Sequence, residues 1–208
     1  HDHNKKELLD DFRKETFKAI EQKISLNPVL HSLQLVVNEF EIEHQLITDF
    51  LDSMKMDLFK TTYESKEIYN KYIYGSAEVV GLMCLKIFSK RDKKLYDQLA
   101  PYAKSLGAAF QKINFLRDMN SDLQERGRIY FPGVDLTHFD EYTKQEILKD
   151  VQQDFDEALI GIKLLPKGAR RGVYLAYIYY LNLFKNIRNA SIEKILAERI
   201  RVSDRRKA

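Results

Sequence analysis

The amino-acid sequence predicts an all-α fold, and three observations carry that prediction. Apolar residues recur at helical spacing almost without interruption. The 208 residues include only 8 Gly and 4 Pro, too few to punctuate a set of strands and tight turns. Capping residues stand where amphipathic runs begin, as at Asn27-Pro28 and Ser65.

The first helix is expected over 5–23, where Leu8, Leu9, Phe12, Phe17 and Ile20 form one broad apolar stripe. Asn27 as N-cap and Pro28 in the favoured first-turn position start a second helix that reaches about residue 40. A third is expected over 43–58, and a fourth, capped by Ser65, to about residue 88. The fifth spans 93–124, with Pro101 expected to kink it or divide it in two. Residues 125–140, with Gly127, Pro132 and Gly133, read as the only extended loop. Helices resume over 142–165, break at Pro166-Lys167-Gly168, and continue over 169–187, and a last one begins near Ser191. No repeat, linker or shift of composition divides the chain, so one helical domain over 1–208 is the economical reading. His1-Asp2-His3 reads as a frayed terminus.

Composition excludes some functions. The 34 basic and 31 acidic residues nearly cancel, which gives no concentrated basic face for nucleic acid. Cys84 is the single cysteine, so no intramolecular disulfide can form and a cytoplasmic, reducing setting is expected. Its neighbours Gly81-Leu82-Met83 and Leu85 make it a core residue rather than a nucleophile. No signal peptide is visible, and no apolar run is expected to reach the ~20 residues of a membrane-spanning helix.

The chemistry-bearing stretch is Gly107-x-x-x-Gln111-x-x-Asn114-x-x-Arg117-Asp118-x-x-x-Asp122. At about 100° per residue, Gly107, Gln111, Asn114, Asp118 and Asp122 fall on one polar stripe bordered by Phe110 and Phe115. A solvent face seldom has aromatic walls, whereas a pocket does. Asp118 and Asp122 stand one turn apart, and Asn114 adds a neutral oxygen one turn earlier. Hard oxygens of this kind suit Mg²⁺, which completes its shell with water and substrate phosphate. Arg117 supplies a planar cation for a diphosphate. Acids four apart on a helix are ordinarily just solvated, and it is the whole pattern, followed by Gly127-Arg128-x-Tyr130-x-Pro132, that favours a site. A second segment, over 72–85, has Glu78 as its only charged residue and Gly75, Ser76, Ala77 and Gly81 as small ones. It reads as a buried helix, packed closely or leaving room for something bulky and apolar.

These two segments resemble the squalene/phytoene synthase family of head-to-head prenyl transferases. Residues 106–122 resemble its second aspartate-rich motif, 127–132 the sequence that follows, and 72–81 its Tyr-Cys-Tyr-x-Val-Ala-Gly-x-Val-Gly helix. Met54-Lys55-Met56-Asp57-Leu58 resembles a shorter family signature, and 199–207 its basic closing segment. The resemblance implies an isoprenoid-synthase helical bundle with a central cavity between two acidic motifs. It implies Asn114, Asp118 and Asp122 as metal ligands, with the two aspartates catalytic through Mg²⁺. It implies Gln111, Arg117 and Arg128 as contacts to substrate, Tyr180 as a tyrosine touching it, and Tyr72 as a cavity residue. For either tyrosine a core role is equally open.

The implied reaction joins two prenyl diphosphates through a cyclopropylcarbinyl diphosphate. Phytoene formation from geranylgeranyl diphosphate is favoured over squalene or dehydrosqualene formation from farnesyl diphosphate, and NADPH is needed only for squalene. Two departures stand out: Glu78 replaces a glycine of the family helix, and no first aspartate motif is present. The expectation is therefore a bundle incomplete at its N-terminus, which by itself does not turn over. A non-catalytic helical prenyl-binding subunit is the rival reading. Chain-elongating transferases use Asp-Asp-x-x-Asp, which Asp118-x-x-x-Asp122 does not fit. The basic closing segment suits either an anionic membrane surface or a solvated helix end.

Overall fold

In the computed structural model, residues 3–134 and 139–201 are described. The chain runs α1 (Lys5–Gln22), α2 (Pro28–Phe40), α3 (His44–Phe59), α4 (Lys66–Ile73), a π-helical turn (Tyr74–Glu78), α5 (Val79–Ser89), α6 (Lys93–Arg126), α7 (Glu141–Leu164), α8 (Lys167–Asn189) and α9 (Ile192–Ala197). Among the described residues the only strand-like pairing is an isolated parallel bridge between Thr62 and Ile129. The expected caps act as such: Asn27 accepts from the N–H groups of Val29 and Leu30, and Ser65 from that of Ile68. The frayed-terminus reading of His1 and Asp2, the basic segment beyond Arg201, and 135–138 of the long loop lie outside the described residues.

Helix α6 is the spine. It packs most extensively on α7 and also meets α4, the π turn, α5, α8 and α9. Pro101 neither ends nor divides it: the helix continues for 34 residues. The turn around the proline is clamped from two sides. A Cβ at Gly81 of α5 would lie 2.5 Å from the Ala103 carbonyl oxygen, and one at Gly161 of α7 would lie 2.3 Å from the Tyr102 Cβ. Packing there outweighs the lost backbone hydrogen bond.

The predicted fourth helix is continuous but carries a π turn at Tyr74–Glu78. A Cβ at Gly75 would sit 2.6 Å from the Asp49 carbonyl oxygen and 2.8 Å from the Ser53 Cβ, so this backbone presses directly on α3. The local widening sits beside that contact. The run Lys66–Ser89 also meets the length and composition of a membrane span, with 24 residues and a mean hydropathy of 1.2. The expectation that no run does so is thus corrected. Its apolar circumference has a local reason: one side packs on α3 and α6, and the other faces a cavity. Cys84 belongs to that second side. It is exposed rather than in the core, and lines the cavity, with its thiol pushed up by desolvation.

Behind α6, away from the predicted polar stripe, lies a charged cluster. Lys112, 8% exposed, reaches Asp150 Oδ2 at 2.6 Å and Asp154 Oδ2 at 2.7 Å, the latter without hydrogen-bond alignment. Glu78 faces the same cluster; burial raises its carboxyl, with Lys104 opposing. Burial also pushes the Asp154 carboxyl up to about 6, against the pull of Lys112. Asp ionises near 3.9 in an unfolded chain, so between ~4 and ~6 the folded state binds the proton more tightly. This group therefore lowers stability as pH rises through that window, and the loss persists above it. Asp154→Asn also takes one of two carboxylates from buried Lys112, whose ammonium that pair holds charged, so the expected result is a relative one. The variant's stability compared with wild type should be ~1–2 kcal/mol more favourable at pH 7–8 than below ~pH 4. Urea melts of both proteins at the two pH values check this, and an equal difference at both would count against it.

Candidate active site

The predicted stripe on α6 opens into a cavity of about 630 Å³ between α5, α6, α7 and α8. Gln111 and Asn114 mark its polar end, while Val80, Leu106, Ile162 and Val173 are typical of the rest. Tyr180 crosses from α8 at that end. Its ring stacks on Phe110 with centroids 3.9 Å apart at 16°, and its hydroxyl donates to Asn114 Oδ1 at 3.3 Å. Phe110 is thus the aromatic wall that the sequence predicts. Phe115 is not: it is buried against Tyr130, ring on ring at 3.9 Å, and lines no part of the cavity.

One turn beyond Asn114, Asp118 is gripped by two guanidinium groups. Arg117 Nε lies 2.9 Å from Oδ1 with a second nitrogen on Oδ2, and Arg199 Nε lies 2.8 Å from Oδ1. The hydrogen bond to Asp118 raises the Arg117 pKa, so that cation is held firmly charged. Asp122, a further turn along, is 9% exposed and close enough to Tyr130 for its charge to add to the burial that raises that phenol.

Two residues go elsewhere. Tyr72 does not line the cavity. It is 3% exposed, stacks near Phe115 and Tyr130, and donates to both Asp57 oxygens at 2.9 and 3.1 Å. Arg128 joins that cluster. It lies 3.4 Å from Asp57 Oδ1, donates to the Asp57 carbonyl, and reaches the Tyr130 hydroxyl at 3.5 Å. Its donors serve the protein interior, tying the end of α3 to the segment after α6. Burial, with the nearby Asp57 charge adding, pushes the Tyr72 phenol well above the range in which it could ionise at neutral pH. It acts as a hydrogen-bond donor.

Asp57 and Arg199 emerge here with contacts that sequence reasoning did not assign. Both lie in segments of family resemblance, but neither periodicity nor spacing could say that Asp57 holds Tyr72 or that Arg199 meets Asp118. Those pairs are 15 and 81 residues apart in sequence.

A family model for squalene/phytoene synthase matches residues 1–206. The chain belongs to that family. Among curated relatives it is 32% identical to the 15-cis-phytoene synthase of Synechocystis sp. over 68% of the chain and 48% of that protein. It is 33% identical to a phytoene synthase of Arthrospira platensis, with the same coverage. The chain spans about half the length of the curated relatives it matches. Among solved structures, a dehydrosqualene synthase in complex with ligand superposes with a TM-score of 0.80 at 24% identity, over 96% of this chain and 74% of that one. The squalene synthase HpnC from Alicyclobacillus acidocaldarius gives 0.77 at 22%, over 90% and 75%. These likenesses establish the helical squalene/phytoene synthase fold that the sequence predicts.

Asn114, Asp118 and Asp122 offer hard oxygens on successive turns of α6, the chemistry Mg²⁺ takes when substrate phosphates and water supply the rest. Among the described residues no group of three or more His, Cys, Asp or Glu converges into a ready-made cage. These three residues could supply part of the shell of a metal shared with a diphosphate, in exchange for the contacts Asn114 and Asp118 make to Tyr180, Arg117 and Arg199, and not the whole shell of one held by protein alone.

Proposed function

We propose that the protein catalyses head-to-head condensation of two prenyl diphosphates, and that the reaction is phytoene formation from geranylgeranyl diphosphate. One observation carries the reading: an apolar cavity long enough for a prenyl tail ends at Gln111 and Asn114, with Asp118, Arg117 and Arg199 one turn further on. The tail and the diphosphate thus find matching surfaces in the right order. Mg²⁺, when bound, supplies positive charge to a departing diphosphate.

The chain's own contribution is positional. Arg117 and Arg199 present fixed donors where negative charge gathers as the allylic carbon–oxygen bond breaks. Tyr180 holds the Asn114 amide oxygen at the polar end of the cavity. The apolar walls keep water from the allylic cation. The double bond of the second substrate attacks that cation, and proton loss closes a cyclopropylcarbinyl diphosphate. A second ionisation and rearrangement join C1 to C1′, and a final proton loss yields the hydrocarbon. Squalene-type chemistry would instead end in hydride delivery from NADPH. We place the reaction in the cytoplasm at or near a membrane surface, because so apolar a product partitions into lipid.

Incubating the full-length protein with Mg²⁺ and either farnesyl or geranylgeranyl diphosphate, with and without NADPH, tests the proposal. A C40 hydrocarbon from geranylgeranyl diphosphate, lost on chelation and restored by Mg²⁺, is expected. Single-chain elongation, or no hydrocarbon, would overturn it.

A further inference from the structure

The end of the cavity remote from Asn114 is a partition. Phe88 of α5, with Gly168 and Ala169 at the start of α8, lines both this cavity and a second one of about 630 Å³. The second cavity has Phe40 and Ile87 among its walls and Glu39, Lys90 and Arg91 at its rim. Phe88 packs against a small core cluster formed by Leu85, Leu99 and Leu165, three residues that also close the far end of the first cavity.

The length of the first cavity is readable from the helices that line it. Along α6 its lining residues run from Asn114 back to Leu99, about 22 Å at 1.5 Å per residue. Along α8 they run from Tyr180 to Gly168, about 18 Å. A zigzag of carbon–carbon bonds of ~1.5 Å advances ~1.25 Å per bond, so from its first carbon an extended farnesyl tail spans ~14 Å and a geranylgeranyl tail ~19 Å. With its first carbon near Asn114 and Tyr180, a farnesyl tail stops short of Gly168, whereas a geranylgeranyl tail reaches the partition.

We propose that Phe88 is the residue that sets the longest prenyl tail this protein accepts, by closing the cavity off from the second one behind it. Removing the ring joins the two cavities and gives a longer tail an apolar path past Phe40 and Ile87. Adding bulk at Gly168 does the reverse. Gly168 is exposed and a Cβ there meets nothing within 4 Å, so a larger side chain can be accommodated at this end of the cavity without displacing backbone. The inference rests on the prenyl diphosphate reading above and adds the determinant of chain length to it.

The test compares kcat/KM for farnesyl, geranylgeranyl and geranylfarnesyl diphosphates in the full-length protein and in the Phe88→Ala and Gly168→Leu variants. Phe88→Ala is expected to raise the geranylfarnesyl-to-geranylgeranyl ratio at least tenfold. Gly168→Leu is expected to lower the geranylgeranyl-to-farnesyl ratio about tenfold, within the range that one or a few methylenes of misfit produce. If Phe88→Ala does not fold, Phe88→Leu and Gly168→Leu carry the test. Ratios that move less than twofold in every folded variant, while wild type turns over geranylgeranyl diphosphate, overturn the role of Phe88. Wild type turning over none of the three overturns the prenyl reading itself.

Discussion

Asp118→Asn in the full-length protein is expected to lower kcat/KM with prenyl diphosphate and Mg²⁺ by about 10²–10³-fold. The carboxylate would act on the departing diphosphate through the cation it helps to hold, and weakening one such electrostatic clamp has an effect of this size. The substitution preserves shape and one acceptor oxygen but removes the charge that both Arg117 and Arg199 address. It therefore removes a hard anionic oxygen from the Asn114–Asp118–Asp122 set and loosens two cations at once. Stability should change little. Arg199 is half exposed, and its ion pair contributes at most ~1 kcal/mol. Arg117 and Asp118 are each 20% exposed, but the amide of the variant keeps one acceptor oxygen for Arg117. Steady-state kinetics with a parallel thermal melt separate the two effects. Activity within threefold of wild type would remove Asp118 from the site, and a collapse of the melting temperature would make its role structural.

Gly107→Ala is expected to lower stability by about 2 kcal/mol or more, because overpacking costs ~1–3 kcal/mol and backbone on both sides leaves little relief. Intrinsic preference points the other way: Ala in a helix interior is favoured over Gly by ~1 kcal/mol. A Cβ at Gly107, however, would lie 2.6 Å from the Ala77 carbonyl oxygen and 3.1 Å from the Glu78 Cα. No side chain can rotate away from that contact. For a chain of this length the melting temperature should fall by about 4–8 °C. Because Ala77 lines the cavity, prising α6 from the π turn should also misplace Gln111 and Asn114 relative to the opposite wall. Gly172→Ala on α8 is the contrasting case, since its Cβ meets nothing within 4 Å and the helix preference should prevail as a small gain. Differential scanning calorimetry of the two variants decides the matter: a melting temperature for Gly107→Ala at or above wild type would refute the close-packing account.

The helices were legible in the sequence because their signals are local. Apolar spacing, the Asn27 and Ser65 caps and the break at Pro166 each act within a turn or two of themselves, and the observed elements begin and end where those signals stand. The continuity of α6 through Pro101 is, by contrast, not a local property. Of the two outcomes expected at Pro101, a kink or a division, the division does not occur, and Gly81 and Gly161, distant in sequence, let neighbouring helices pack closely on that turn. The π turn at Tyr74–Glu78 likewise sits between close contacts to α3 and α6, which no window around Gly75 contains.

The site divides along the same line. The stripe of Gln111, Asn114, Asp118 and Asp122 follows from helical geometry alone, and the family resemblance of residues 106–132 gave it a chemistry. What lies opposite each of these residues was beyond the reach of periodicity. Tyr72 and Arg128 carry the same resemblance as Gln111, yet Asp57 draws both into an aromatic cluster away from the cavity. Cys84 sits in an apolar run that reads as core, and the empty side of α5 turns out to be cavity wall.

By itself, then, the sequence determined the all-α class, the boundaries of most helices, the family and the acidic face of α6, because periodicity, capping and motif spacing are properties of neighbouring residues. Only the tertiary structure decided that Arg199 meets Asp118, that Tyr180 holds Asn114, that Tyr72 is buried on Asp57, and that Phe88 lines two neighbouring cavities. Each of those depends on which helices approach one another and how closely. In this chain that is set by backbone contacts at Gly75, Gly81 and Gly107, whose partners lie 22 to 30 residues away.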